Sequence, residues 1–174
     1  MLRRVLVANR GEIAVRILRA CRDEGLETVL AVSEADRGSL GALLADRTVC
    51  IGPAAASESY LDIDRLLAAA TTTACDALHP GYGFVSESPE LSERCAEAGA
   101  TFVGPSADAM RRSGDKALAR ATASELGIPI GEGSDVLEGV EQALEVADGM
   151  GYPVLLKAVA GGGGRGMRRV DRGE

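Results

Sequence analysis

Five short apolar runs, each separated from the next by a polar or helically spaced segment, constrain this chain more than any other feature. They lie at residues 3–8, 28–33, 48–51, 74–79 and 101–103. Each has the length of a strand and is too short for a helix. After the first run, Ala14, Ile17, Leu18 and Cys21 fall on one face of a helix over residues 12–24. The other face pairs Glu12 with Arg16 and Arg19 with Asp23 at i,i+4, and Gly25 closes the helix. A polar turn and a short Leu/Ala helix around residues 40–45 separate the second and third runs. Asp62 is placed to cap a helix over residues 63–70. Ser88-Pro89-Glu90 opens another to Ala98, with Gly99 just past its end.

Strands alternating with helices in this way imply an α/β fold, a parallel sheet with Rossmann-like winding. At Gly104-Pro105-Ser106 the pattern changes. Ser106 or Asp108 can cap a short helix through Arg112, and Ser113-Gly114-Asp115-Lys116 opens a longer one that Gly127 and Pro129 stop. A connecting strand is expected at residues 128–130, then a helix over residues 140–150. The expected domain boundary separates residues 1–113, the Rossmann-like domain, from residues 114–174.

The second part ends on Leu155-Leu156-Lys157-Ala158-Val159, read as a buried strand, and then five glycines within residues 161–166. Met167 to Val170 returns as a second strand. A lysine in a buried apolar strand is costly unless an anion meets it. Consecutive glycines let backbone N–H groups converge on that anion at little steric cost. The simplest reading is a phosphate clamp, a mobile hairpin lid over nucleotide phosphates; a flexible surface hairpin shares the spacing. It is not a P-loop, which needs Gly-Lys-Ser/Thr entering a helix, nor a Rossmann turn, because a strand follows.

Of 19 basic residues only Lys116 and Lys157 are lysines. They mark places for a compact, rotatable ammonium, unless codon bias accounts for the count. Lys116 stands in or near a first helical turn, where the macrodipole disfavours a cation by about 0.3–1 kcal/mol. It is either an ordinary solvated lysine or a second contact to an anion drawn to that terminus.

Composition removes other classes. A net charge of -7, no Trp and two Phe leave neither the basic face nor the aromatic platform of a nucleic-acid binder. No apolar run approaches the ~20 residues of a membrane span. The first strand lies so close to Met1 that no secretory signal is expected, which points to the cytoplasm. Cys21, Cys50, Cys75 and Cys95 are widely spaced without a Cys-x-x-Cys pair. They read as buried free thiols before a metal site or disulfide framework.

Two turns remain. Asn9-Arg10-Gly11-Glu12 lacks Gly-x-Gly-x-x-Gly and reads as a tight βα turn rather than a dinucleotide site. His79-Pro80-Gly81-Tyr82-Gly83-Phe84 lies just past the carboxyl end of the fourth strand, where open α/β sheets place ligands. Its residues either border an active site or form a sharp turn in which His79 satisfies a core hydrogen bond.

Taken together, five motifs resemble those of biotin carboxylases, over essentially the whole chain. They are the segment from Ala8 to Ala14, Ala35-Asp36-Arg37, His79 to Phe84 with Ser86-Glu87, Gly114-Asp115-Lys116, and Lys157 with the glycines and Arg165-Gly166-Met167. The resemblance implies a Rossmann-like domain followed by the beginning of an ATP-grasp domain with a glycine-rich lid. It implies that Lys116 and Lys157 contact ATP phosphates, that the backbone of Gly163 and Gly164 covers them, and that Met167 lies near the adenine. His79, Tyr82 and Glu87 would border the active site.

The implied reaction is ATP-dependent activation of bicarbonate as carboxyphosphate, then carboxylation of biotin on a carrier protein or domain, with a carboxyltransferase as the next partner. Arg19 and Asp23 would contribute to a homodimer contact through the first helix. No catalytic residue is expected within these 174 residues. The Mg2+-binding glutamates and the bicarbonate and biotin residues are expected beyond position 174, so the chain is expected to be a fragment inactive by itself. Two positions depart from the family pattern. Ser113 stands where Met is usual, and Val159-Ala160 precedes four glycines where a Ser and a fifth Gly are common, which would stiffen the lid. Competing readings are another ATP-grasp ligase, such as a carbamoyl-phosphate synthase or an amino-acid ligase, and a non-catalytic nucleotide-binding or assembly module.

Overall fold

The computed structural model describes residues 2–114, 116–158 and 166–173, with the backbone alone at Lys116 and Ala117. The chain divides into two compact units, Met1–Arg111 and Arg112–Glu174.

In the first unit the apolar runs become β1 (Arg4–Val7), β2 (Glu27–Ser33), β3 (Arg47–Gly52), β4 (Ala77–His79) and β5 (Thr101–Phe102). All pair in parallel, in the order β3-β2-β1-β4-β5. The helices between them are α1 (Gly11–Asp23), α2 (Leu40–Leu44), α3 (Ile63–Thr72) and α4 (Pro89–Glu97). Alternation along the strands decides which helix covers which face. Val5, Val7, Leu30, Val32 and Ala77 meet Ala14, Ile17, Leu18 and Cys21 of α1. Leu6, Val29, Ala31 and Leu78 point the other way, to Leu66 and Leu67 of α3 and Leu91 and Cys95 of α4. Burying one such Leu or Val contributes about 1.5–3 kcal/mol, so a slip of one residue would reverse both layers at once. The winding read from the sequence is the winding found.

Local signals fix the ends. Asp62 and Ser88 accept the amides of Arg65 and Leu91 as N-caps. At the end of α1, Leu26 donates to the Cys21 carbonyl and Gly25, at φ +70°, donates to that of Arg22. That is a Schellman closure. Asp76 accepts the amides of Arg3 and Arg4 at 2.9–3.1 Å and anchors the start of β1.

The expected strand over residues 74–79 begins late, at Ala77, because α3 uses residues 74 and 75 for its own closure. Cys75 donates to the Ala70 carbonyl, and Ala74 donates to that of Thr71 from φ +52°. Thiol burial also differs from expectation. Cys21 and Cys95 are buried and Cys75 is half-buried, but Cys50 is exposed on β3, an edge strand. All four are free.

After β5, α5 (Ala107–Gly114) is capped by Ser106, whose Oγ accepts the amide of Ala109 at 3.2 Å. It runs two residues past the expected Arg112. The second unit holds α6 (Lys116–Glu125), α7 (Val140–Met150) and the antiparallel pair β6 (Val154–Lys157) and β7 (Met167–Val170). The connecting strand expected at residues 128–130 does not form among the described residues. Ile128 spends its amide on the Ala123 carbonyl, closing α6 behind Gly127 at φ +67°. The expected buried strand at the end is likewise corrected. Leu155 and Leu156 are 51% and 42% exposed and Lys157 is exposed, because a two-stranded hairpin covers neither of its own faces. No helix among the described residues is long and apolar enough to cross a membrane.

Candidate functional site

In the order β3-β2-β1-β4-β5 the winding reverses between β1 and β4. The loops leaving those two strands therefore splay at a topological switch point, where open α/β sheets bind ligands. These are the turn at Asn9-Arg10-Gly11 and the loop from His79 to Val85. They are tied together from below. Ala8 donates its amide to the His79 carbonyl at 2.9 Å. Asn9 is 4% exposed, and its Nδ2 donates to the carbonyls of Pro80 at 2.6 Å and Tyr82 at 2.8 Å. Its Oδ1 accepts the amide of Arg10 at 2.8 Å. Every polar atom of the side chain is thus used.

The loop can lie this close only because residue 81 is glycine. A Cβ there would stand 2.6 Å from Ile13 Cγ2 and 2.8 Å from Asn9 Nδ2, and the backbone is at φ +69°. Gly81 donates its amide to His79 Nδ1 at 3.0 Å, so that nitrogen is an unprotonated acceptor. Burial pushes the His79 pKa below the ordinary value. Of the two roles open to it in the sequence, the geometry supports the turn-closing one.

Above the turn, Phe84 sits at φ +43°, an unusual conformation for an aromatic residue. Its ring stacks on Tyr60 with centroids 5.2 Å apart, and the Arg10 guanidinium stands 5.5–5.6 Å from both rings. Arg10 also approaches Asp36 at 3.8 Å. Asp36 accepts the hydroxyls of Ser33 and Tyr60, each at 2.7 Å. Burial pushes the Asp36 carboxyl up, but these hydroxyls and Arg10 outweigh it and hold the pKa below the usual range. Burial pushes Tyr60 up to about 12, which keeps its hydroxyl protonated as a donor. Sequence reading singled out Asp36 only as part of a motif and did not anticipate Tyr60. The one available signal was its position: a tyrosine in the connection between β3 and α3, beyond the carboxyl end of a strand.

Of the remaining loop residues, Tyr82 is 66% exposed, with its hydroxyl donating to Glu12 Oε1 at 3.3 Å. Glu87 is exposed immediately before the Ser88 cap of α4. The structure therefore brings Tyr82 to the turn after β1 and leaves Glu87 at the start of a helix.

In the second unit, β6 and β7 pair so that Lys157 lies directly opposite Met167. The pair is extended by Ala158, which donates its amide to the Gly166 carbonyl at 2.8 Å. Gly166 adopts φ +75°, with no room for a Cβ beside Ala158. Lys157 is exposed and Met167 is 48% exposed, so the desolvation cost inferred for the lysine from its apolar neighbours does not arise within this hairpin. Lys116 is the first residue of α6. Its side chain, and Gly163 and Gly164, lie outside the described residues. Among the described residues, no group of three or more His, Cys, Asp or Glu could hold a metal ion.

Residues 1–110 match the family model of the biotin carboxylase N-terminal domain, and residues 115–174 that of the carbamoyl-phosphate synthase L chain ATP binding domain. The chain is 51% identical over 169 residues to biotin carboxylase 1 of Bacillus subtilis, covering 97% of this chain and 38% of the relative. It is 50% identical over 172 residues to the biotin carboxylase of Haemophilus influenzae, covering 98% and 38%. Among solved structures, the Campylobacter jejuni biotin carboxylase complex with beta-gamma-ATP matches with a TM-score of 0.95 at 46% identity, over 99% of this chain and 39% of that one. A biotin carboxylase domain dimer of Hydrogenobacter thermophilus 2-oxoglutarate carboxylase, in complex with MgADP, ADP and bicarbonate, matches at 0.92 and 42%, over 98% and 38%. The chain thus spans 31–38% of the length of the curated relatives it matches.

Proposed function

The chain belongs to the biotin carboxylase family through its N-terminal domain, and from that membership we propose that it forms the N-terminal part of an enzyme that carboxylates carrier-bound biotin with ATP and bicarbonate. The observation that carries the phosphate half of this reading is the register of the hairpin. An exposed lysine and an exposed methionine face each other at the two ends of the glycine-rich segment. Lys157 would meet a phosphate there and Met167 the adenine, with Gly163 and Gly164 covering the phosphates and Lys116 supplying a second cation. Two cations suit a reaction that spreads negative charge over a transferring phosphoryl group.

His79, Tyr82 and Glu87 would border the active site from the first unit. Because the half-buried His79 accepts the Gly81 amide, its part is to hold the turn, and the exposed Tyr82 and Glu87 are the groups that would meet a ligand. The Mg2+ ligands and the groups that bind bicarbonate and biotin would come from the part of the family's length that this chain does not span. On this reading residues 114–174 begin an ATP-grasp domain and the isolated chain does not turn over. The partners would be a biotin carrier, a carboxyltransferase and a second copy met through α1 near Arg19 and Asp23; the Hydrogenobacter neighbour is described as a dimer. A cytoplasmic location accords with four free thiols.

The match of residues 115–174 to a carbamoyl-phosphate synthase ATP binding domain favours a second reading, a different ATP-dependent ligase. The match of residues 1–110 favours the first. Phosphate release by the whole protein distinguishes them. It should require both bicarbonate and biotin and be lost in Lys116→Ala and Lys157→Ala. Hydrolysis indifferent to biotin, or to either lysine, would overturn the proposal. Bicarbonate-dependent hydrolysis by the 174-residue chain, abolished by Lys157→Ala, would overturn the claim that it is inactive alone.

A further inference from the structure

The turn Asn9-Arg10-Gly11-Glu12 has no part in the phosphate reading, yet its side chains converge on the loop that follows β4, some 70 residues away. Asn9 spends both Nδ2 hydrogens on the carbonyls of Pro80 and Tyr82. Arg10 lies against the Phe84 ring. Glu12 accepts the Tyr82 hydroxyl across a long 3.3 Å. Tyr82 is 66% exposed, so packing does little to fix its ring. Polar tethers at its two ends, the main-chain carbonyl and the phenolic oxygen, do so instead.

We infer that Asn9 and Glu12 are positioning residues for Tyr82: the first fixes the backbone from which the ring projects, and the second restrains its hydroxyl. The inference rests on the reading in which Tyr82 borders the active site. Its chemistry is specific. Asn9→Asp keeps the size and the acceptor for the Arg10 amide but replaces two donors by a carboxylate oxygen facing two carbonyls. A neutral, satisfied contact becomes a repulsive one. Glu12→Gln removes the charge and keeps the shape.

The test follows Tyr82 directly. Tyr60, Tyr82 and Tyr152 are the three tyrosines, so the 174-residue chain labelled with 3-fluorotyrosine gives three fluorine resonances, that of Tyr82 being identified by Tyr82→Phe. Asn9→Asp should shift and narrow the Tyr82 signal while that of Tyr152 stays, and Glu12→Gln should move it less. A Tyr82 signal unchanged in both variants overturns the inference. If Asn9→Asp does not fold, Glu12→Gln at the exposed site decides alone.

In the whole protein, Glu12→Gln should lower kcat/KM about threefold and have no further effect on a Tyr82→Phe background, because both act through one hydroxyl. Additive losses would mean that Glu12 does not act through Tyr82, and would overturn its role. Should Tyr82→Phe leave activity intact, the active-site reading fails, and the fluorine spectra still decide the clamp.

Discussion

His79 accepts the amide hydrogen of Gly81 at its Nδ1, across 3.0 Å, and so closes the turn at the end of β4 in its neutral form. Burial holds its folded pKa below the ordinary 6.5. In the unfolded chain the imidazole takes up a proton near that value, whereas the folded chain resists until the pH is lower. Stability from this group is therefore complete above about pH 6.5 and is lost progressively as the pH falls from there toward the folded pKa. It is the sole histidine, so no other imidazole titrates in the same window. Melting temperature should fall between about pH 7.5 and pH 5.5, and His79→Gln should flatten that slope. Equal slopes in the two proteins would rule the explanation out.

Gly81 and Gly83 make an internal comparison. Both have positive φ, +69° and +71°. A Cβ on Gly81 meets Ile13 and Asn9 within 2.8 Å, while one on Gly83 meets nothing within 4 Å. Gly83→Ala should cost only the left-handed backbone term, about 1 kcal/mol. Gly81→Ala adds a clash with a buried, fully bonded side chain and should cost about 3 kcal/mol in all. Urea midpoints of the two variants check the order. Equal losses would mean that the loop does not lie on Asn9 as closely as described.

The first unit was legible because its signals are local and agree with one another. Alternating apolar residues place the strands, and Asp62 and Ser88 as caps and Gly25 as a closing residue each mark a helix end where the structure has it. The failures occur where one residue's choice depends on a distant partner. Nothing near Asn9 in the sequence announces that it will hold Pro80 and Tyr82, since that pairing exists only once β1 and β4 are neighbours. The burial expected of the strand around Lys157 fails for a related reason. An apolar stretch shows that side chains are suited to burial, not that a covering layer is present within the same unit.

Ala74 marks a failure of a local kind, a helix closure without glycine, and gives a third prediction. Its φ of +52° closes α3 in the position that glycine usually takes. An alanine there bears a left-handed strain of about 1–2 kcal/mol, partly offset by its smaller loss of backbone entropy on folding. Ala74→Gly should therefore stabilise the chain by about 0.5–1 kcal/mol, visible as a melting temperature higher by a few degrees. A lower melting temperature would show that the strain is not stored there.

Cys50 differs from the other three thiols in ways that predict its reactivity. It is exposed on edge strand β3, and the Arg37 guanidinium beside it holds its pKa below the ordinary value. Burial pushes Cys21 up, pushes Cys95 up to about 11, and outweighs the Thr73 contact at half-buried Cys75. The thiolate is the reacting form, so access and charge favour the same residue. Iodoacetamide at about pH 7.5 should label Cys50 at least tenfold faster than the other three, as read by mass spectrometry of peptides. Arg37→Ala should slow that labelling and move its pH profile upward, because the thiolate loses its neighbouring cation while its exposure is unchanged. Labelling of Cys50 that is fast but indifferent to Arg37 would leave exposure as the sole cause and dismiss the electrostatic one.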